Sequence, residues 1–175
     1  MSALFYTQID DSPVGPLLLA GDHDALHVLS FGAPPAGGRQ KLHVSRPREI
    51  DPSWQPDTKG VLKDVRRELD RYFAGLLTKF STPVAFSGTP FQKTVWQELQ
   101  RIPYGETISY LELARRIDNL KAVRAVGMAN GANPVAIIVP CHRVIGSNGS
   151  LTGFGGGLPT KRALLELEKG QRTLL

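Results

Sequence analysis

The stretch Ala136-Ile137-Ile138-Val139-Pro140-Cys141-His142-Arg143-Val144-Ile145-Gly146 constrains the fold of this chain more than any other. Its first four residues are apolar on both faces of a would-be strand, and three of them are β-branched, so they predict a short buried strand. Pro140 has no N–H to donate and ends any ladder there. A thiol, an imidazole and a guanidinium follow in consecutive positions, and Cys141 is the only cysteine among 175 residues. One cysteine excludes an internal disulfide and any multi-cysteine zinc site. A hydrophobic content of 41% is enough for a genuine core. Cys141 itself is a buried structural residue, a reactive thiol, or an accident of the sequence.

Towards the N-terminus the pattern is that of strands. Residues 3–9, 16–21 and 24–31 predict an antiparallel meander, punctuated by turn clusters at 11–16 and 21–24. His23 and His27 are read as partly exposed histidines rather than a metal pair. Residues 32–57, rich in Gly, Pro, Arg and Ser, predict a long surface loop or a partly ordered excursion. From Thr58 to Ala74, Val61, Leu62, Val65, Leu69, Tyr72 and Phe73 recur at helical spacing and predict an amphipathic helix ended by Gly75. Residues 76–87 alternate again and are broken at Pro83. Gly88-Thr89-Pro90 marks a domain boundary, giving an N-terminal domain of residues 1–87 and a C-terminal domain of residues 88–175, because Thr followed by Pro also starts a helix.

The second part differs in kind. Residues 1–87 hold 10 Lys/Arg and 10 Asp/Glu, whereas residues 88–175 hold 11 and 6, so the whole net charge of +5 falls there. That excess fits a polyanionic partner, or else a solvated basic surface. After a first helix to about Arg101, Ser109 and Glu112 form a capping box for a helix from Tyr110 to Ile117. A turn at residues 118–120 then leads to a helix from Lys121 to about Gly131. Two short helices joined by a tight turn make a helix-turn-helix pattern. The second helix is nearly bare: Ala122, Ala125, Gly127, Ala129 and Gly131 alternate with Lys121, Arg124, Met128 and Asn130. Small residues permit close packing on another helix or close approach to a nucleic-acid groove with Arg124 as the long probe. Beyond the thiol, Ser147 to Ser150 is a hairpin signal, residues 151–157 form a glycine-rich loop with one aromatic, and Lys161 to Lys169 a final helix.

A nucleophilic thiol needs a base, and the base needs an orienting carboxylate. His142 is the nearest base in sequence, but adjacent side chains of an extended segment diverge, so a bridging water or a sharp turn after Pro140 is required. The acidic residues after Cys141 are Glu166 and Glu168, and Glu168 is preferred.

Pro140-Cys141-His142-Arg143-Val144 resembles the active-site signature of the O6-alkylguanine-DNA alkyltransferases. The resemblance extends to Thr89-Pro90-Phe91-Gln92, Ile108-Ser109-Tyr110, Arg124-Ala125-Val126-Gly127, Asn133-Pro134 and Gly153-Phe154-Gly155-Gly156-Gly157, and residues 1–87 match in general layout. It implies an α/β (α+β) fold: a ribonuclease-H-like antiparallel sheet with a helix, then a winged helix-turn-helix domain. It implies Cys141 as alkyl acceptor, His142 as a water-mediated base oriented by Glu168, and Asn133 as a brace between helix and thiol. Tyr110 would rotate the target nucleotide and Arg124 fill its vacated place, with Lys121, Ala125, Thr89 and Gln92 also at the DNA. Met128, Val144, Phe154 and Gly155 would form the base pocket, carbonyls of Cys141 and Val144 taking the exocyclic amine and the Gly155 N–H facing O6.

The implied partner is double-stranded DNA containing O6-alkylguanine, bound by a monomer able to cluster on DNA, with neither cofactor nor metal. No stretch approaches the ~18 apolar residues of a membrane span, and the N-terminus lacks the layout of a signal peptide, so the expected location is the cytoplasm, on the nucleoid when DNA-bound. Two positions depart from the family pattern: Phe154 stands where tyrosine is usual and Gly155 where serine or alanine is common. A thiol hydrolase and a non-catalytic DNA-binding module are the alternatives.

Overall fold

The computed structural model describes residues 3–32 and 49–172, without the side chains of 171 and 172. Most of the expected 32–57 loop, residues 33–48, lies outside the described residues. Three strands, β1 (Phe5–Ile9), β2 (Leu17–Gly21) and β3 (Leu26–Phe31), form the antiparallel meander. A two-residue strand, β4 (Gln55–Pro56), adds to β1 in parallel, giving the order β3-β2-β1-β4. Too short to show an alternation, β4 falls inside the stretch expected to be loop. All five residues of β2 are buried, as a central strand with both faces covered requires.

The first helix, α1 (Lys63–Phe73), starts later than its apolar spacing predicts. Gly60, at φ +74°, turns the chain, and the Asp57 carboxylate accepts from the N–H groups of Val61 and Leu62 at 2.8 Å. Val65, Leu69 and Tyr72 form its buried face. The helix ends where expected: Gly75 adopts φ +75° and the Leu76 N–H returns to the Arg71 carbonyl. The exposed edge of β3 is covered by two short segments of chain. Leu26 exchanges backbone hydrogen bonds with Pro83 and Ala85, and Leu29 does so with Pro134 and Ala136, in both cases as parallel bridges.

The second half is built on α2 (Pro90–Leu99), α3 (Tyr110–Arg116), α4 (Val123–Gly131) and α5 (Leu158–Arg172). Thr89 and Gln92 close a reciprocal capping box at the start of α2. The box expected at α3 is only half made. Ser109 accepts from the Glu112 N–H, but the Glu112 carboxylate turns away to pair with Arg115 and Arg116, whose two cations outbid one backbone N–H. A turn through Asp118 (φ +55°) and a single 3₁₀ turn, Leu120–Ala122, join α3 to α4, completing the helix-turn-helix.

Val126, Ala129 and Asn130 are the buried face of α4, and the Trp96 indole donates to the Ala129 carbonyl at 2.8 Å, locking α4 to α2. Lys121, Arg124, Ala125 and Met128 are exposed. The small residues therefore serve packing on one side and leave the other side bare. A further parallel pair, β5 (Ile108–Ser109) and β6 (Val144–Ile145), sets the start of α3 beside the chain leaving the thiol. No helix among the described residues is long and apolar enough to cross a membrane.

Candidate active site

The chain that presents Cys141 is not the expected strand. Residues 136–139 are buried or nearly so, but after one bridge at Val135 they coil into turns, with the Val139 N–H on the Val135 carbonyl and the Ile138 N–H on the Ala136 carbonyl. Ile137 sits at φ +70°, a left-handed value that a β-branched residue rarely adopts. A short apolar run looks the same whether a strand or a compact turn is buried, and here the backbone finds its partners locally. Asn133 supplies two of them: its amide donates to the Val139 carbonyl at 2.8 Å and accepts from the Val135 N–H at 3.0 Å. Such strain persists where surrounding contacts over-determine the backbone, as Asn133 and the β3 edge do here.

After Pro140 the chain makes one 3₁₀ turn, Cys141–Arg143. Consecutive side chains therefore diverge less than in a strand, and His142 and Arg143 both reach the same carboxylate. Glu168 on α5 is fully buried and takes five hydrogen bonds: from His142 Nε2 (2.8 Å), Arg143 Nε and Nη2 (both 2.9 Å), Tyr72 Oη (2.7 Å) and the Gly105 N–H (3.1 Å). Glu166 is exposed, so Glu168 is the carboxylate that meets the imidazole. Burial alone would push the Glu168 carboxyl up, but hydrogen bonds from His142 and Arg143, with the guanidinium charge, hold it well below the usual carboxylate range. An ionised carboxylate only accepts, so His142 carries its proton on Nε2 and Nδ1 bears the lone pair. Nδ1 is buried and has no hydrogen-bond partner among the described residues. Burial pushes the imidazole below its ordinary value, against the pull of Glu168, leaving it neutral and able to accept.

Cys141 is 5% exposed. Burial pushes its thiol up, opposed by a hydrogen bond from Asn133 and by the charge of Lys161. The resting site thus pairs a protonated thiol with a neutral imidazole, and the proton has to move when substrate arrives.

Beside it, a cleft of about 510 Å³ is lined by Tyr110, Arg124, Met128, Phe154 and Gly155, with Val123, Gly127, Gly131, Thr152 and Gly153 between them. Met128 is 72% exposed at its mouth. A Cβ on Gly127 would lie 3.8 Å from the Tyr110 ring, and on Gly131, Gly153 or Gly155 it would meet nothing within 4 Å. The Tyr110 hydroxyl donates to the Thr152 carbonyl at 3.0 Å. Val144 is fully buried behind this lining. Thr89 and Gln92, spent on each other, lie at the foot of α2, and Lys121 and Ala125 are exposed but do not line the cleft.

Four other residues belong to the site although the sequence reading gives them no role. Lys161, fully buried on α5, donates to the carbonyls of Val144 (2.6 Å) and Thr152 (3.0 Å) and lies 5.8 Å and 5.9 Å from the ring centres of Tyr110 and Phe154. Burial lowers it to about 8, and a thiolate at Cys141 would pull it back up. A lysine at the buried i, i+3, i+7 positions of α5 with Leu164 and Glu168 was a readable signal. Arg143 also donates to the Ile102 carbonyl at 2.6 Å, which explains how a guanidinium next to the thiol is buried. Tyr72 reads as plain core. Phe31, at the end of β3, packs 5.4 Å from Phe154, and a Cβ on Gly156 would come 2.6 Å from its ring. Among the described residues no three of His, Cys, Asp or Glu gather to hold a metal ion.

Comparison with known proteins matches residues 4–86 to the ribonuclease-like domain of 6-O-methylguanine DNA methyltransferase, and residues 90–170 to its DNA-binding domain. A methylated-DNA–protein-cysteine methyltransferase of Methanosarcina acetivorans is 48% identical over 93% of this chain and 97% of its own. The crystal structure of the Mycobacterium tuberculosis O6-methylguanine methyltransferase superposes with a TM-score of 0.81 at 48% identity, over 96% of this chain and 94% of that one. A structure of the M. tuberculosis protein in complex with DNA gives 0.80 at 48% identity, over 95% and 94%.

Proposed function

The chain belongs to the 6-O-methylguanine DNA methyltransferase family, and on that premise we propose how its residues divide the repair reaction. It repairs DNA directly, moving the alkyl group of O6-alkylguanine onto a cysteine of its own, and Cys141 is the one cysteine it has. The buried pairing of His142, the residue next to that thiol, with Glu168 of α5 is the observation that carries the assignment. Residues 1–87 act as the supporting domain and residues 88–175 as the DNA-binding, alkyl-accepting domain. The groups named for the reaction all come from one chain, which fits a monomer in solution able to cluster on DNA. It acts in the cytoplasm, on the nucleoid when bound to DNA.

Duplex DNA lies against α3 and α4, whose bare exposed face lets the backbone approach a groove closely, with Lys121 at the phosphates. Arg124 enters the stack that the target nucleotide leaves, and the flipped base occupies the cleft between Tyr110 and Phe154. Tyr110 donates to the guanine ring. Cys141 Sγ attacks the alkyl carbon on O6 while its proton passes through a water to His142 Nδ1. The S–C bond forms, the C–O bond breaks with its electron pair left on the base, and a proton returns to the base to give guanine. The imidazolium formed in passing is stabilised by Glu168. A thioether offers water no carbonyl to attack, so each molecule reacts once.

Mass spectrometry after mixing with duplex O6-methylguanine tests this. The peptide containing Cys141 gains one methylene mass in proportion to lesion, and Cys141→Ala gains none. Repeated turnover would mean a thiol hydrolase, and DNA binding without any mass change a damage-sensing module.

A further inference from the structure

We propose that Tyr72, on α1 of the N-terminal half, is a positioning residue for alkyl transfer whose hydroxyl sets how strongly Glu168 holds the proton of His142. The inference rests on His142 as the base of the reaction proposed above. Tyr72 is fully buried, and its hydroxyl donates at 2.7 Å to Glu168 Oε1, the same oxygen that receives His142 Nε2 at 2.8 Å and Arg143 Nη2 at 2.9 Å. Three donors share one carboxylate oxygen. Each takes part of its negative charge, so the imidazole bond is weaker than it would be with the oxygen to itself.

The ring is held apart from this polar contact. It packs on Phe73 (5.5 Å), Phe80 (5.3 Å) and Tyr104 (6.2 Å), all edge-on or tilted, so the cage fixes the ring and the hydroxyl is its one polar output. A buried tyrosine hydroxyl needs only some acceptor, and a backbone carbonyl would serve as well. This one is aimed from the other half of the molecule at the carboxylate that orients the base.

The charged and titratable groups around His142 are Glu168 and Lys161 from α5, Arg143 and Cys141 from its own turn, and, acting on Glu168, Tyr72 from α1 and Tyr104 from the chain before Gly105. Arg143 and Lys161 disfavour a second proton on the imidazole, and Glu168 favours it. Tyr72 weakens the favourable contact without adding charge. It helps keep the resting imidazole neutral, the form that can take the thiol proton.

The test is the single-turnover rate of methyl transfer from duplex O6-methylguanine, measured across pH. Tyr72→Phe keeps the ring in its cage and returns charge to the His142 bond, so the acid limb of the profile moves to higher pH by on the order of half a unit to one unit. The titration of His142 followed by NMR in the DNA-free protein moves the same way. Phe80→Leu loosens the same cage but leaves the hydroxyl, and it lowers stability with the acid limb in place. A Tyr72→Phe profile that coincides with wild type or moves to lower pH overturns the proposal, as does an equal shift in Phe80→Leu. A wild-type protein that transfers no methyl at any pH overturns the function and this role together, which separates the two failures.

Discussion

Glu168 is fully buried and has five donors within reach, so its ionised form is held by neighbouring protein groups. Replacing it with Gln leaves the Arg143 guanidinium buried without counter-charge, a change that costs about 3–5 kcal/mol. Denaturant unfolding of Glu168→Gln checks that loss, and methyl transfer falls with it because His142 loses its tether. The pH dependence follows from the sign of the shift. A carboxyl held below its ordinary 4.5 stabilises the fold fully above that value and gives the stability up as pH falls towards the folded value. His142, also lowered, from 6.5, adds a loss in the same direction below 6.5, because the unfolded imidazole takes a proton that the folded one refuses. Unfolding free energy measured against pH therefore drops on the acid side, and the part below 4.5 flattens in Glu168→Gln. Lys161 has the opposite place on the scale. Its folded value of about 8, below 10.5, makes stability rise with pH between those values, and Lys161→Met lacks that rise. The same variant removes the cation that favours the Cys141 thiolate and two hydrogen bonds to pocket carbonyls, so methyl transfer slows by about tenfold or more in single-turnover assays.

At the scale of elements, the glycine-rich loop between the β6 strand and α5 sets what the cleft admits. A Cβ on Gly155 meets nothing within 4 Å, so Gly155→Ala fits the free protein but takes space from the flipped base and its adduct. Transfer from O6-benzylguanine slows several-fold in this variant and transfer from O6-methylguanine changes little; rates on the two duplexes measure it. Helix starts and stops were the readable part of these elements, because Thr89-Pro90, Ser109 and Gly75 each carry their reason in the side chain or its absence. The strands of two residues were not readable, since β4, β5 and β6 exist only where a distant partner lines up. Residues 136–139 were readable as buried and misread as extended. Nothing local says that Asn133 satisfies both ends of the turn. The pairing of His142 with Glu168 was legible because acidic residues after the thiol are few. Tyr72 was not, because the apolar face that carries it normally means core and nothing more.

The whole molecule puts its first half into the site at three places: Tyr72 on the carboxylate, Phe31 on the pocket wall, and Leu29 under the turn that leads to the thiol. Phe31→Ala removes a buried ring and its support of Phe154, costing about 3 kcal/mol or more in urea unfolding. It also slows methyl transfer although it lies outside the domain that meets DNA, and the same single-turnover assay reads it. The gathering of donors around Glu168 has a further consequence during synthesis. The ribosome delivers the chain from its N-terminus, so Tyr72, Gly105, His142 and Arg143 all emerge before the carboxylate they serve. Until α5 follows them, a guanidinium and an imidazole face an apolar interior with no anion to close on. The nascent protein therefore cannot complete its reactive centre before Glu168 has emerged, and a thiol that can be used only once is armed by the last of these groups to be made.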